Sequence, residues 1–545
     1  MTIGEKITHL RIANGISQEK LAEMLNVSRQ SISKWESDES LPQIDKIVEF
    51  CELFKVSTDE LLHDNVVIHR GKNLVPSIGE DVKTKYFGTD GFRGEVNKVL
   101  TADHAYKIGR FLGWFFSNPK YSLQKPGYRP KIVIGKDTRR SSYMLEYAVS
   151  AGLAASGADV YLLHVTTTPS VSYITRMDCF DCGIMITASH NPFYDNGIKV
   201  INYNGEKLED SVAVLIEKYL DGKLDELGVE GDDLPLASRD NVGVIIDYSS
   251  GRNRYIAYLI SLVKHSLKDF KIGLDCANGA SWMIAKSVFD ALGAQTHVIN
   301  NNPNGVNINL DAGSTHIEKF CKYVKENKLD LGFAFDGDTD RCIAVDENGK
   351  EVDGDKIMYM LANKLKREGS LLGDTVVATI MSNSGLEKAL KGIGCKLVRT
   401  KVGDRFVYER MQKDNFALGG EQSGHIIMKK YATTGDGILT ALMVTEEVAE
   451  RKTSLSKLVS PVKLLPQKTV NVRVTNKADT LDDVQVRAKY DECNKEIGDN
   501  GRVLLRQSGT EPVVRIMAEC VSLEECDKYI KKIYDVIKKR GYVCE

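Results

Sequence analysis

The sequence predicts an α/β protein: three related α/β domains, then a small α+β domain, all preceded by a small all-α domain. Three observations carry that prediction. A unit of strand, helix, glycine and strand recurs three times, as "KIVIGKDTRRSSYMLEYAVSAGLAASGADVYLL", "KIGLDCANGASWMIAKSVFDALGAQTHVI" and "TVVATIMSNSGLEKALKGIGCKLVRT". The second strand of each is preceded by a glycine and a small residue: Gly157-Ala158, Gly293-Ala294 and Gly394-Cys395. Apolar strands joined by helical crossovers imply mainly parallel layers. From about residue 463 the period changes: "KTVNVRVT" alternates apolar and polar, and "LEECDKYIKKIYDVIKKR" is spaced as an amphipathic helix. Residues 1–63 carry helical spacing alone.

Within that first segment, "SQEKLAEMLNVSRQSISKWE" holds two helix starts, with Ser17 and Ser28 as N-caps. Leu21, Met24 and Leu25 are expected on one apolar face, and Val27, Ile32 and Trp35 continue it. The connection around Leu25–Ser28 is very short, which reads as a helix-turn-helix with its second helix at about 28–36. The stretch resembles the lambda-repressor-like (Xre-type) DNA-binding domain over nearly all of residues 4–62. That resemblance implies that Arg29, Gln30, Ser31 and Lys34 begin a recognition helix, face the major groove and make DNA a partner. Charge pulls the other way. Residues 1–63 hold 7 Lys/Arg and 11 Asp/Glu, a net −4, whereas phosphate binding favours a basic footprint. A helical protein-interaction module is therefore the alternative. Residues 64–84, "DNVVIHRGKNLVPSIGEDVKT", show no period, contain Gly and Pro, and read as a linker.

A chain of 545 residues is too long for one hydrophobic core. Its composition, 42% hydrophobic and 27% charged with net charge −2, gives no whole-chain signature of nucleic-acid binding. No apolar run reaches a membrane span and the N-terminus lacks a signal peptide, so a cytoplasmic protein is expected. Eleven cysteines without framework spacing suit reduced thiols. Cys179 and Cys182 form a lone C-x-x-C, read as structural thiols with zinc or redox use as the rival.

Four loops carry candidate chemistry. "ITASHNPFYDNGIK" sets Ser189 beside His190, but adjacent side chains rarely meet and no G-x-S-x-G elbow is present, so a hydrolytic triad is not indicated. "LDLGFAFDGDTDRCIAVD" runs a hydrophobic strand into Asp336, Asp338 and Asp340. Carboxylates at i, i+2 and i+4 can converge on one hard cation and leave room for a phosphate oxygen. An EF-hand is the rival, with Glu347 at its twelfth position, but Arg341 stands where that loop needs Gly. A solvated acidic turn is the plainer alternative. In "GGEQSGH", Glu421, Ser423 and His425 alternate and could face one ligand; a polar turn is equally consistent. In "RQSGTEPVVR", Ser508, Gly509 and Thr510 between Arg506 and Arg515 could cradle a phosphate, or form a plain turn. Taken together, a divalent metal, a serine and a phosphate cradle point to phosphoryl transfer with Ser189 as the carrier.

From about residue 84 to 545 the chain resembles the α-D-phosphohexomutases. "TASHNP" matches their phosphoserine loop, "DGDTDR" the metal loop, "GEQSGH" the sugar loop and "RQSGTEP" the phosphate loop, in family order; "YFGTDGFRG" and "KVGDRFV" fit as well. "FGTDGFRG", "GEQSGH" and "SGTEP" are most similar to the bacterial phosphoglucosamine mutases. The resemblance implies four domains, at 85–244, 245–350, 351–462 and 463–545. It implies interconversion of glucosamine 6-phosphate and glucosamine 1-phosphate, with glucosamine 1,6-bisphosphate as intermediate and primer. Mg2+ would be held by Asp336, Asp338, Asp340 and phosphorylated Ser189. Arg93 and Arg341 would steady the transferring group, and Lys199 and His425 would assist proton transfer. Glu421 and Ser423 would hold sugar hydroxyls, and Arg506, Ser508, Gly509, Thr510 and Arg515 the non-reacting phosphate. His190 is read as shaping its loop. A homodimer is among the assemblies the resemblance allows. The alternatives are a phosphoglucomutase or phosphomannomutase, or a transcriptional regulator that uses the mutase part as a sugar-phosphate sensor.

Overall fold

The computed structural model describes residues 3–13, 16–54, 56, 58–62, 84–88, 90–118, 121, 128–507 and 513–544. The chain falls into two compact units, Met1–Val345 with Tyr431–Leu442, and Asp346–Lys430 with Met443–Glu545.

The N-terminal segment is helical throughout: α1 (Ile3–Ala13), α2 (Gln18–Met24), α3 (Arg29–Glu36), α4 (Ile44–Phe54) and α5 (Thr58–Leu62). Ser17 and Ser28 cap α2 and α3, their hydroxyls accepting the backbone N–H of Lys20 and Ser31 at 3.1 Å each. Leu21, Leu25, Ile32 and Trp35 enter one core with Ile7, Leu10 and Phe50. Met24 does not join them; it is 45% exposed, and Ala22 is buried instead. Leu21, Ala22 and Leu25 stand at i, i+1 and i+4, which centres the inward face of α2 away from Met24. The Glu36 carboxylate ties α3 back to the earlier helices by accepting from Arg11 at 3.0 Å and Gln18 at 2.7 Å. Of the expected linker, residues 64–83 lie outside the described residues.

The next part of the chain forms a seven-stranded sheet in the order β1-β2-β6-β5-β3-β4-β7. Its strands are β1 (Phe87–Gly88), β2 (Gly91–Glu95), β3 (Lys131–Lys136), β4 (Asp159–Val165), β5 (Cys182–Ile186), β6 (Asp195–Asn202) and β7 (Ile245–Asp247). β3 pairs in parallel with β4 and β5, and β4 with β7, as helical crossovers require. The other edge departs from the parallel expectation: β6 runs antiparallel to β5 and to β2. Only eight residues, 187–194, join β5 to β6. That is too short for a crossover, so the strands must form a hairpin. The Ser189 loop is the tip of that hairpin. A second sheet holds β8 (Lys271–Asp275), β9 (Gln295–Ile299), β10 (Leu331–Phe335) and β11 (Cys342–Asp346) in the order β11-β10-β8-β9.

In the second unit, after the short β12 (Glu351–Val352), lie β13 (Thr375–Thr379), β14 (Lys396–Thr400), β15 (Leu418–Gly420) and β16 (Ile426–Met428), ordered β14-β13-β15-β16. The repeated unit foreseen in the sequence therefore opens each of the three sheets' parallel cores, as β3–β4, β8–β9 and β13–β14. Its glycines, Gly157, Gly293 and Gly394, all take positive φ (88°, 90° and 70°), the left-handed turn that ends a helix cheaply only without a Cβ. The chain ends in an antiparallel sheet of β17 (Gln467–Arg473), β18 (Arg502–Gln507) and β19 (Val513–Glu519), with β19 central. Helices Val484–Ile497 and Leu523–Lys539 supply Val486, Cys493, Ile530 and Ile533 to its core. No helix among the described residues is long and apolar enough to cross a membrane. All eleven cysteines are free thiols. Burial pushes the Cys182 thiol well above its usual range, which suits the structural reading of the C-x-x-C pair.

Candidate active site

The hairpin tip after β5 holds Ser189 in an unusual backbone state, φ 51°, in the left-handed region that costs a non-glycine residue. Its side chain is buried, and Oγ donates to Asp336 Oδ2 at 2.6 Å. Asp336 follows β10, whose five residues are all buried. Ser189 and the aspartate loop, 147 residues apart in the chain, thus meet in the first unit.

Asp336, Asp338 and Asp340 are buried, and one carboxylate oxygen from each lies within 4.8 Å of the others. No other group of three or more His, Cys, Asp or Glu side chains converges in this way among the described residues. Burial, then the charges of Asp340 and Asp338, push the Asp336 carboxyl well above the usual carboxylate range. Asp338 Oδ2 accepts from Thr168 Oγ1 at 2.6 Å. Asp338 Oδ1 is buried and takes no hydrogen bond from the described residues. An orphaned buried carboxylate oxygen beside two further carboxylates, all hard oxygen donors, fits a divalent cation such as Mg2+. The solvated acidic turn is therefore excluded, since the three carboxylates are buried. Glu347 does not serve as an EF-hand ligand: it accepts the Ser456 N–H at 3.3 Å.

Cations surround this cluster. Lys199, on β6, places Nζ 2.7 Å from Asp338, 3.2 Å from Asp340 and 3.1 Å from Asp90. Burial works against its charge, but Asp338, Asp90 and Asp340 outweigh that and hold the ammonium well above its usual pKa. Arg93, on β2, pairs with Asp90. Burial resists ionisation of Asp90, but Lys199 and Arg93 overcome it and lower Asp90 to about 2. Arg341 donates its backbone N–H to Asp336 at 3.2 Å and its guanidinium to His190 Nδ1 at 3.1 Å. Burial, with Arg341 and Arg93 nearby, lowers His190 to about 4, so its ring is neutral at pH 7 and accepts at Nδ1. His190 thus links the Ser189 loop to Arg341 of the aspartate loop. Gly337 separates the first two aspartates for a steric reason: a Cβ there would lie 2.5 Å from the Ser189 carbonyl oxygen.

The sequence reading missed several members of this cluster. Asp90 lies within "FGTDGFRG" and its link to Lys199 has no sequence spacing to announce it. Arg139 and Asn309 donate to the Ser189 carbonyl, and Asp137 accepts from the Thr187 hydroxyl that in turn accepts the Ser189 N–H. Their traces were visible as "GKDTRR" at the end of an apolar strand and as the asparagine-dense "NNNPNGVNIN".

In the second unit, Glu421, Ser423 and His425 sit on the turn between β15 and β16, with Gly424 at φ 92°. Glu421 is half-buried and accepts the Gly403 N–H at 3.2 Å. Ser423 is exposed. His425 is buried, with Nε2 4.0 Å from Asp404. Arg506 and Arg515 face each other in register on β18 and β19. Burial, then the like charge of Arg515, lowers the Arg506 pKa; a bound anion would relieve both guanidinium groups. Ser508, Gly509 and Thr510 lie outside the described residues.

At the N-terminus, Arg29, Gln30 and Lys34 are exposed on α3. Arg29 pairs with Glu19 at 2.9 Å, and Ser31 is half-buried with its hydroxyl 2.9 Å from that of Ser28.

Comparison with known proteins places these features in a family context. Profiles described as "Phosphoglucomutase/phosphomannomutase, alpha/beta/alpha domain" I, II and III match residues 84–225, 253–349 and 353–464. The corresponding C-terminal domain matches residues 470–536, and a helix-turn-helix profile matches 7–61. The chain is 55% identical over 458 residues to a phosphoglucosamine mutase of Lachnospira eligens, covering 84% of this chain and 99% of that protein. It is 46% identical over 454 residues to the phosphoglucosamine mutase of Bacillus subtilis, covering 83% and 98%. Among solved structures, a phosphoglucomutase/phosphomannomutase family protein of Burkholderia thailandensis superposes with a TM-score of 0.69 at 23% identity, over 83% of this chain and 97% of that one. An Aspergillus fumigatus N-acetylphosphoglucosamine mutase, solved with GlcNAc-6P and magnesium, gives 0.58 at 18% identity over 84% and 96%.

Proposed function

The chain belongs to the phosphoglucomutase/phosphomannomutase family, as one of its phosphoglucosamine mutases fused to an N-terminal helix-turn-helix domain, and from that premise we propose how its residues work. The reaction is the interconversion of glucosamine 6-phosphate and glucosamine 1-phosphate. Ser189 carries the phosphate, gives it to the free sugar hydroxyl and recovers the other phosphate from the resulting 1,6-bisphosphate, which also serves as primer. The observation that carries this reading is Ser189 Oγ at 2.6 Å from Asp336, inside a buried three-carboxylate cluster.

Asp336, Asp338 and Asp340 would hold Mg2+. When bound, the ion supplies positive charge to the oxygens of the phosphoryl group. The remaining work falls to protein groups. Arg93 and Arg341 lie beside the cluster and balance the charge of the transferring group. Lys199 is charged in the resting fold and tied to three aspartates, so it can donate a proton only as those contacts change. In that role Lys199 would assist proton transfer to the leaving oxygen and from the attacking hydroxyl. Glu421 and Ser423 take sugar hydroxyls, and His425 assists proton transfer. Arg506 and Arg515, with Ser508, Gly509 and Thr510, take the non-reacting phosphate.

The N-terminal domain adds sequence-specific DNA binding through Arg29, Gln30, Ser31 and Lys34, with a homodimer as the binding form. A sensor without turnover is a second reading, favoured by that domain alone; the complete set of chemical residues favours an enzyme. The proposed substrate is tested by comparing kcat/KM for glucosamine, glucose and mannose phosphates. Glucosamine 1-phosphate should be preferred. A higher value for glucose 1-phosphate would move the chain to a different substrate branch of the same family.

A further inference from the structure

A buried ring of hydrogen bonds, closed by one ion pair, encloses the backbone of Ser189. The Ser189 N–H donates to Thr187 Oγ1 at 2.9 Å, and that hydroxyl donates to Asp137 Oδ2 at 2.8 Å. Asp137 Oδ2 lies 2.9 Å from Arg139 Nε. Arg139 closes the ring by donating from its terminal nitrogen to the Ser189 carbonyl at 2.8 Å. The same guanidinium donates to the carbonyls of Asn191, at 2.9 and 3.0 Å, and Pro192, at 3.0 Å. From the other side, Asn309 Nδ2 donates to the carbonyls of Ser189 at 2.8 Å and Asn191 at 3.1 Å. Thr187, Asp137 and Arg139 are fully buried.

Two features make this more than packing. Ser189 has φ 51°, a state that is strained for a serine and persists only where the surroundings over-determine it. Both peptide groups flanking Ser189 are fixed, the N–H by Thr187 and the C=O by two donors, so its φ and ψ cannot relax independently. A burial cost also needs a reason. An Asp–Arg pair taken out of water is at best neutral for stability relative to apolar side chains. Here every hydrogen bond that the Arg139 guanidinium donates ends on a carbonyl of the Ser189 loop.

We propose that Asp137, Arg139 and Asn309 are positioning residues for phosphoryl transfer: they lock Ser189 in its left-handed backbone so that Oγ is presented to the aspartate loop at each half-reaction. The proposal rests on Ser189 being the phosphate carrier. None of the three side chains need touch the substrate. The serine must serve twice per cycle, first as a phosphate donor and then as an acceptor, and a pre-set backbone avoids a reorganisation cost at both steps.

The test uses the full chain with Mg2+ and glucosamine phosphates, and wild type as the first arm. Asn309 has φ 60°, so Asn309→Gly removes the two donated hydrogen bonds without backbone strain. Arg139→Lys keeps the charge beside Asp137 but cannot reach three carbonyls at once. Both variants should lose about 10- to 100-fold in kcat with KM within about threefold, since a misplaced nucleophile costs rate rather than binding. Transfer of phosphate from the bisphosphate to dephosphorylated enzyme, measured in a single turnover, should slow by the same factor. Melting temperature separates this from simple unfolding: Asn309→Gly should remain fully folded at the assay temperature. Wild-type kcat in a folded Asn309→Gly, or a loss confined to KM, or a loss that only tracks the unfolded fraction, would overturn the proposal. An inactive wild type would instead refute the proposed reaction.

Discussion

Ser189 Oγ donates to Asp336 Oδ2 across 2.6 Å, joining the hairpin tip after β5 to the loop after β10. A serine that reaches a buried carboxylate cluster is poised to carry an anion only if cations are close, and Arg93, Lys199 and Arg341 supply them. Ser189→Ala should therefore lower turnover by about a thousandfold or more, because the covalent route is lost. Intact-mass measurement should find one phosphate on active wild type and none on the variant. Chelation should abolish wild-type activity and Mg2+ should restore it. Full activity in Ser189→Ala, or indifference to chelation, would exclude the mechanism.

Asp181 gives the fold a measurable pH dependence away from the catalytic residues. It is buried at the start of β5 and accepts the Lys131 N–H at 2.8 Å and the Tyr128 hydroxyl at 2.9 Å. Burial outweighs those hydrogen bonds and raises the carboxyl to about 6. The fold therefore binds this proton more tightly than the unfolded chain does. Its stabilising contribution is complete below about pH 4 and drains away as pH rises to about 6, a loss of up to about 3 kcal/mol. Asp181→Asn keeps the acceptor and removes the titration. Denaturant unfolding of both proteins from pH 4 to 7 should show their stability difference shifting in favour of the variant as pH rises. A constant difference would show that Asp181 keeps an ordinary pKa.

The sequence made legible whatever depended on local period and local contact. The three strand–helix–glycine–strand units, the serine caps of α2 and α3 and the convergence of Asp336, Asp338 and Asp340 all arise within a few dozen residues. The antiparallel edge at β6 was not foreseen, because it follows from the length of one loop rather than from apolar alternation. Asp90, Arg139 and Asn309 escaped for a different reason. Their partners lie at Lys199 and the Ser189 loop, from 50 to 120 residues away, and buried polar contacts at that separation leave no periodic trace. Met24 was misplaced because the inward face of a two-turn helix is set by its neighbours as much as by its own spacing.

The helix-turn-helix is expected to bind DNA as a dimer. Arg29, Gln30 and Lys34 stand exposed on α3, the second helix of the motif, which is the element such folds place in the major groove. Net charge −4 over residues 1–63 means that affinity must come from a few placed cations, and that non-specific binding should be weak. Arg29 is already paired with exposed Glu19, an interaction worth little in water and readily exchanged for a phosphate or a base. Selection from a random oligonucleotide pool should enrich a palindrome, and Lys34→Ala should weaken its binding. No enrichment at low salt would favour a protein-interaction role.

Removing the N-terminal domain should leave catalysis intact. The family profiles begin at residue 84. The Lachnospira eligens relative is matched over 99% of its length by 84% of this chain, so a protein of that family is essentially accounted for without the helical segment. That segment also has its own apolar core, built from Ile7, Leu10, Leu21, Leu25, Ile32, Trp35 and Phe50. Every residue assigned a chemical role lies at or beyond Arg93. Deleting residues 1–75 should thus change kcat/KM by less than about threefold, which is below the 1.4 kcal/mol that a tenfold change represents. The competing idea is that the N-terminal domain dimerises the enzyme or gates its access to substrate. Steady-state kinetics on the truncated protein decide between them, with circular dichroism to establish that it is folded. A folded truncation that has lost more than about tenfold in kcat/KM would place the helix-turn-helix within the catalytic unit.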